Sequence, residues 1–131
     1  MREIKYRAYV KELNLVLPVL SIQFDFKKVE VLATYSKRID TEYFNFEQVE
    51  LIQYTGLKDS KGNEIYEGDI VKISGHPFQG SIDIDGIYKV GYNKLMELCC
   101  GSLYLHRMRH WAEVIGNKFE NENLLKGADK E

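Results

Sequence analysis

Apolar and polar residues alternate with a period of two along most of this chain, and no stretch carries the 3.6-residue spacing of a long amphipathic helix. Near the start, Ile4, Tyr6, Ala8 and Val10 alternate with Glu3, Lys5, Arg7 and Tyr9, the pattern of a half-buried strand. Leu20, Ile22, Phe24 and Phe26 alternate with Ser21, Gln23 and Asp25, and the alternation resumes at Val29, Val31, Ala33 and Tyr35. The two runs predict a hairpin turning at Lys27-Lys28. Ser36–Glu42 is a polar break, and Tyr43–Tyr54 fits neither the strand nor the helix template. Further strands are expected at Ile70–Ser74, Gly86–Tyr92, Leu95–Cys100 and Trp111–Ile115. Turn-forming residues separate them: Asp59-Ser60-Lys61-Gly62-Asn63, Gly75-His76-Pro77 with Gly80, Asn93-Lys94, Gly101-Ser102 and Gly116-Asn117. The tail, Glu120–Glu131, is polar apart from Leu124-Leu125 and suits one helical turn. Many short strands with frequent turns make the chain all-β, a small barrel or sandwich, with no internal repeat.

Composition bounds function. At 131 residues the chain is about one domain. A hydrophobic share of 44% excludes a disordered chain. The formal charge is 18 − 20 = −2, which excludes a strongly basic nucleic-acid binder but leaves room for a local basic patch. Residues 1–40 carry 8 basic and 5 acidic side chains and residues 41–131 carry 10 and 15, a mild asymmetry of +3 against −5. The two cysteines, Cys99 and Cys100, are adjacent, and such neighbours bridge only with strained geometry. A disulfide framework is therefore not expected, and a reducing cytosol is. Met1–Arg7 is followed by no apolar signal region. The most apolar run, Leu13–Ile22, is interrupted by Asn14, Pro18 and Ser21 and is shorter than the ~20 residues a spanning helix requires. The expectation is a cytoplasmic chain with no membrane segment.

The densest pattern is Gln53-Tyr54-Thr55-Gly56-Leu57-Lys58-Asp59, then Gly62, then Ile65-Tyr66-Glu67-Gly68-Asp69-Ile70-Val71. It reads as two tight turns around a short strand. Gly56, Gly62 and Gly68 allow left-handed backbone where the chain reverses. Asp59 suits acceptance of hydrogen bonds from turn amides, and Asp69 from backbone N–H groups left unpaired at the corner. Tyr66 is expected to be a large buried anchor with its hydroxyl at the rim. These residues build a corner, and none demands a substrate.

This stretch resembles the signature of the YopX family of phage and prophage proteins. Arg2-Glu3-Ile4-Lys5-Tyr6-Arg7-Ala8 is similar to that family's first strand. Glu113-Val114-Ile115-Gly116-Asn117, with Phe119-Glu120-Asn121 and Leu124-Leu125, is similar to its closing segment, although Glu122 stands where the family usually has proline. Segments 11–50 and 72–110 match poorly. The resemblance implies a bacteriophage or prophage origin and an all-β protein whose carboxy-terminal half is similar to an SH3-like barrel. It brings no catalytic residue and no assigned biochemical role. The organisation expected is an N-terminal strand and hairpin region at 1–50, a barrel core at 51–121 and a polar tail at 122–131, together one compact domain.

Candidate chemistry is sparse. His106 and His110 are four apart, but Arg107 and Arg109 lie between them, a third ligand is missing, and no His-Glu-x-x-His motif exists, so no metal site is expected. Cys99 and Cys100 form no Cys-x-x-Cys pair. Asp83-Ile84-Asp85 opens like a calcium loop, but Ile87, Tyr88 and Lys94 occupy its positions 5, 6 and 12. Glu67 and Asp69 are a carboxylate pair without a neighbouring nucleophile or histidine. Arg107, Arg109 and His110 beside Tyr104 and Trp111 interleave basic and aromatic residues, as single-strand nucleic-acid binders do. In the plainer reading, Trp111 is core and the arginines cover its edge. The function expected is therefore a non-enzymatic binding or assembly module without cofactor, self-associating or binding a protein partner. The alternative is a nucleic-acid-binding module that uses Arg107, Arg109 and Trp111.

Overall fold

A computed structural model of the chain describes residues 5–37, 40–75 and 84–126. The chain divides into two compact units, Met1–Gln53 and Tyr54–Glu131. Several expectations lie wholly or partly outside the described residues: the first residues of the opening strand, the His76-Pro77 and Gly80 loop, Asp83, and the end of the tail.

The first unit is an antiparallel sheet. Its strands are β1 (Tyr6–Val10), β2 (Leu15–Gln23), β3 (Lys28–Leu32), β4 (Thr41–Asn45) and the first half of β5 (Val49–Lys58), in the order β4-β3-β2-β1-β5. One face packs a core of Ala8, Val10, Leu17, Val29, Val31, Phe44 and Val49. Burying each of the larger aliphatic side chains contributes about 1.5–3 kcal/mol.

The hairpin differs from the expected one. Strand β2 begins at Leu15, and the turn occupies residues 24–27, so Phe24 and Phe26 lie in the turn rather than on a strand face. A bulge also interrupts the strand before the turn and leaves Leu20 exposed. The pairing of β2 with β3 shifts between Val19 and Ser21, so Leu15, Leu17 and Val19 share the core face before it and Ile22, opposite buried Val29, shares it after. One extra residue reverses which side chains point inward. The turn closes with the Lys27 N–H donating to the Phe24 carbonyl at 3.3 Å, and Lys27 is left-handed at φ 53°. The stretch from Tyr43 to Tyr54, which matched neither template, is a strand end, a one-turn 3-10 helix at Phe46–Gln48 and a strand start, three short pieces that no single period describes.

The second unit contains the rest of β5, then β6 (Glu64–Tyr66), β7 (Asp69–Ile73), β8 (Gly86–Tyr92), β9 (Leu98–Cys100) and β10 (Leu103–Tyr104). A four-residue helix α1 (Leu105–Met108), a 3-10 turn at Arg109–Trp111, β11 (Ala112–Asn117) and α2 (Asn123–Lys126) complete it. Five strands form an antiparallel sheet in the order β10-β9-β8-β7-β11, and β5 pairs with β6. Its core includes Ile65, Val71, Ile73, Tyr88, Val90, Cys100, Leu105 and Ala112. Strand β9 starts at Leu98 rather than at Leu95, and Trp111 belongs to the helical turn rather than to the last strand.

The expected closed barrel is not formed: among the described residues no strand pairing closes the sheet into a ring. On β11, groups that would pair with a closing strand are taken by the turn that follows β5. The Ser60 N–H donates to the Ala112 carbonyl at 2.9 Å, and the Val114 N–H donates to the Asp59 carboxylate at 2.8 Å. A carboxylate and a turn amide cover this edge in place of a strand.

Candidate functional site

The residues singled out at the corner are placed as scaffold. Gly56, Gly62 and Gly68 are all left-handed, at φ 89°, 87° and 84°. Buried Asp69 accepts the Tyr66 N–H at 2.7 Å. Tyr66 is buried, its ring lies 5.4 Å from that of Tyr54, and its hydroxyl donates to Glu64 at 3.1 Å. Asp59, 5% exposed, accepts the N–H groups of Lys61 (2.9 Å), Asn63 (2.8 Å) and Val114 (2.8 Å) and the Asn63 amide at 3.4 Å. Burial alone would raise its pKa, but these donors outweigh burial and hold the carboxyl below the usual range.

The closing segment joins the same hydrogen-bonded corner, and together they form a polar lock. The Lys118 N–H donates to the Gly68 carbonyl at 2.8 Å, and a side chain at Gly68 would stand 3.1 Å from the Phe119 ring. Asn117 Oδ1 accepts the N–H groups of Phe119 (3.0 Å) and Glu120 (2.8 Å), and Asn121 Oδ1 accepts that of Asn117 at 3.1 Å. Residues 59–69 and 113–121, distant in sequence, therefore form one hydrogen-bonded network. Of the Glu67 and Asp69 pair, Asp69 is the member that holds the backbone of the corner.

Arg107, Arg109 and Trp111 lie on the helical turns, not on a strand. Helical winding rotates successive side chains by about 100°, so residues two apart diverge instead of sharing a face. Arg107 is exposed. Arg109 is half-buried and donates through Nη1 to the Lys58 carbonyl at 3.1 Å. Trp111 is half-buried against the core, with the His110 ring edge-on at 5.9 Å. His106 stacks near Tyr104, their rings 6.1 Å apart. No group of three or more His, Cys, Asp or Glu side chains that could hold a metal is present among the described residues. Asp85, the described member of the Asp-x-Asp pair, accepts the Gly75 N–H at 3.4 Å. Cys100 faces the core, where burial and then the neighbouring Cys99 push its thiol up to about 12. Cys99 lines a shallow cleft of ≈ 220 Å³ with Lys89, Gly91, Tyr92, Asn93 and Gly101, and its sulfur accepts from the Asn93 amide at 3.6 Å.

The surfaces that sequence reasoning missed are two hairpin tips. On the β8–β9 hairpin, Leu95 and Met96 are 77% and 74% exposed. Their loop is held from within: Asn93 Oδ1 accepts the N–H groups of Leu95 and Glu97, each at 2.9 Å, and Met96 is left-handed at φ 63°. On the β2–β3 hairpin, Phe24 and Phe26 are 72% and 73% exposed. The Phe24 ring meets Phe46 edge-on at 6.0 Å. The Phe46 N–H donates to the Lys27 carbonyl at 2.9 Å, tying the 3-10 turn to the tip. Beside these rings lies an open groove of ≈ 600 Å³ lined by Phe26, Lys27, Asn45, Phe46 and Glu47. The available signal was Asp25 between two phenylalanines followed by Lys27-Lys28, which also suits a turn.

No helix among the described residues is long and apolar enough to cross a membrane. The fold is similar to that of protein EF1440 from Enterococcus faecalis, a crystal structure, with a TM-score of 0.64 and 23% identity over 95% of this chain and 99% of that one. No curated protein matches the chain. The model of the family described as YopX protein matches residues 5–126, a span that includes both hairpins and the whole of the polar lock. The chain belongs to the YopX family.

Proposed function

We propose that this chain is a phage- or prophage-type binding or assembly module that performs no reaction of its own and works in the host cytoplasm, through self-association or a protein partner. Its second unit, with short bent antiparallel strands, is read as SH3-like in kind. The observation that carries this reading is that two ordered hairpin tips each hold two large apolar side chains more than 70% exposed, Phe24 with Phe26 and Leu95 with Met96. Large apolar side chains clustered at a fixed protrusion mark interaction surfaces more often than chance exposure. Light scattering across micromolar concentrations, with Phe24→Ser/Phe26→Ser and Leu95→Ser/Met96→Ser variants, tests it. Association, or capture of a defined partner, is expected to fall in at least one variant. Unchanged behaviour in both would refute the reading.

The nucleic-acid reading has less support. Arg109 is bound to the Lys58 carbonyl and Trp111 is half-buried, so the patch at the helical turns centres on Arg107. A salt-dependent mobility shift abolished by Arg107→Ala would favour it.

A further inference from the structure

We infer that the β2–β3 tip is a self-docking site at which two copies of this chain meet about a twofold axis, Phe24 and Asp25 of each seated in the groove that Phe26, Lys27, Asn45 and Phe46 form on the other. The inference rests on the binding-module reading and narrows it to one surface and one partner. A twofold contact requires a single patch to carry both the knob and the hole, and both signs of charge. This tip does. The protruding ring of Phe24 stands beside an open groove of ≈ 600 Å³, ample for a phenyl ring. Asp25 stands on the knob and Lys27 in the groove, so the axis generates two reciprocal Asp25–Lys27 pairs. Glu47 in the groove and Lys28 beside the tip keep the patch neutral, two acids against two bases. A neutral patch meets its own copy without repulsion. Lys27 holds a left-handed backbone that glycine would adopt at less cost. Lys27 is among the residues that line the groove.

The size of the contact sets its strength. A phenylalanine buries about 150–250 Å². Two per copy fall below the roughly 800 Å² per partner of a standard interface. The dimer is therefore weak and concentration-dependent.

Sedimentation equilibrium of the full chain, from micromolar to submillimolar, tests the inference, with circular dichroism confirming that every variant is folded. Asp25→Lys alone and Lys27→Asp alone are each expected to weaken self-association about tenfold or more, because each replaces two attractions by two repulsions. An equimolar mixture of the two variants is expected to recover association close to that of the unmodified chain. In that heterodimer the lysine introduced at position 25 of one copy meets the aspartate introduced at position 27 of the other, and the remaining original pair, Lys27 with Asp25, is kept. A monomeric unmodified chain, association indifferent to both substitutions, or a mixture as weak as its components would each overturn the inference. Those results leave the binding-module reading standing, since that reading fails only if the serine variants at both hairpin tips change nothing.

Discussion

The polar lock of the second unit and the β2–β3 tip of the first are built on opposite principles. In the lock, Asp59, Asp69, Asn117 and Asn121 accept hydrogen bonds from backbone N–H groups, and Gly68 turns the chain against the Phe119 ring. At the tip, large apolar rings stand in solvent and the backbone is held by a few turn hydrogen bonds. The lock contains the densest turn pattern of the sequence, residues 53–71, and the tip carries only Asp25 between two phenylalanines. A buried carboxylate with several donors tolerates little change, because every substitution leaves donors unpaired. An exposed ring can change freely without cost to folding. The lock is thus committed to holding the fold, whereas the side chains at the tip are free of that task.

The comparison breaks if the lock proves dispensable. Asp59→Ala removes the acceptor for the N–H groups of Lys61, Asn63 and Val114 and uncovers the edge of β11. It is expected to destabilise the chain by about 3 kcal/mol, read as a lowered midpoint in urea at unchanged slope. Gly101→Ala comes next, at about 2 kcal/mol: its Cβ would stand 2.6 Å from the Tyr88 ring, and its φ is 62°. Gly62→Ala shares the left-handed backbone but meets nothing within 4 Å, so only the conformational cost of about 1 kcal/mol is expected. Equal losses at 101 and 62 would show that backbone strain alone matters there.

The lock also carries a pH signature. The folded Asp59 carboxyl titrates below its ordinary value, because backbone donors outweigh the effect of burial. A depressed folded pKa contributes stability that is fully present above the unfolded value of about 4 and is lost as pH falls through the lower folded value. Thermal melts from neutral to acid pH are expected to show this loss, and Asp59→Asn is expected to flatten the curve in that window while lowering stability at neutral pH.

What was legible in the sequence follows the same division. Strand β8 runs from Gly86 to Tyr92 as its alternation and flanking turns indicate, and the turn at 59–63 stands where Asp59 and Gly62 put it. Each is a local signal with a local cause. The hairpin of the first unit joins the two alternating runs, with its turn at residues 24–27 rather than at Lys27-Lys28, and the outward Leu20 was hidden because a bulge is set by pairing with β3, which one strand's sequence does not display. Arg107, Arg109 and Trp111 alternate as strand residues would, yet they lie on helical turns whose buried side is Leu105 and Met108. The charge asymmetry at residue 40 also fails to follow the fold: residues 1–53 carry 8 basic and 8 acidic side chains, so the first unit is neutral. Short strands and turns left barrel and sandwich open, the barrel being what the resemblance implies, and the side-chain cover of the β11 edge by Asp59 is a long-range contact that no spacing announces.

The smallest effects on stability separate exposed residues from anchored ones. Arg109→Ala is expected to cost about 1 kcal/mol, since it removes the hydrogen bond to the Lys58 carbonyl, whereas Arg107→Ala should stay within about 0.5 kcal/mol of the unmodified chain. Phe24→Ser with Phe26→Ser should likewise leave the urea midpoint almost unmoved, because both rings are already in water and neither belongs to the buried core of the first unit. The one packing contact at stake is the edge-on meeting of Phe24 and Phe46, worth about 0.5–1.5 kcal/mol when enclosed and less in solvent. Association should respond far more than stability does. If the double serine variant instead unfolds as readily as Asp59→Ala, the rings support the hairpin that bears them, and the tip joins the lock as scaffold.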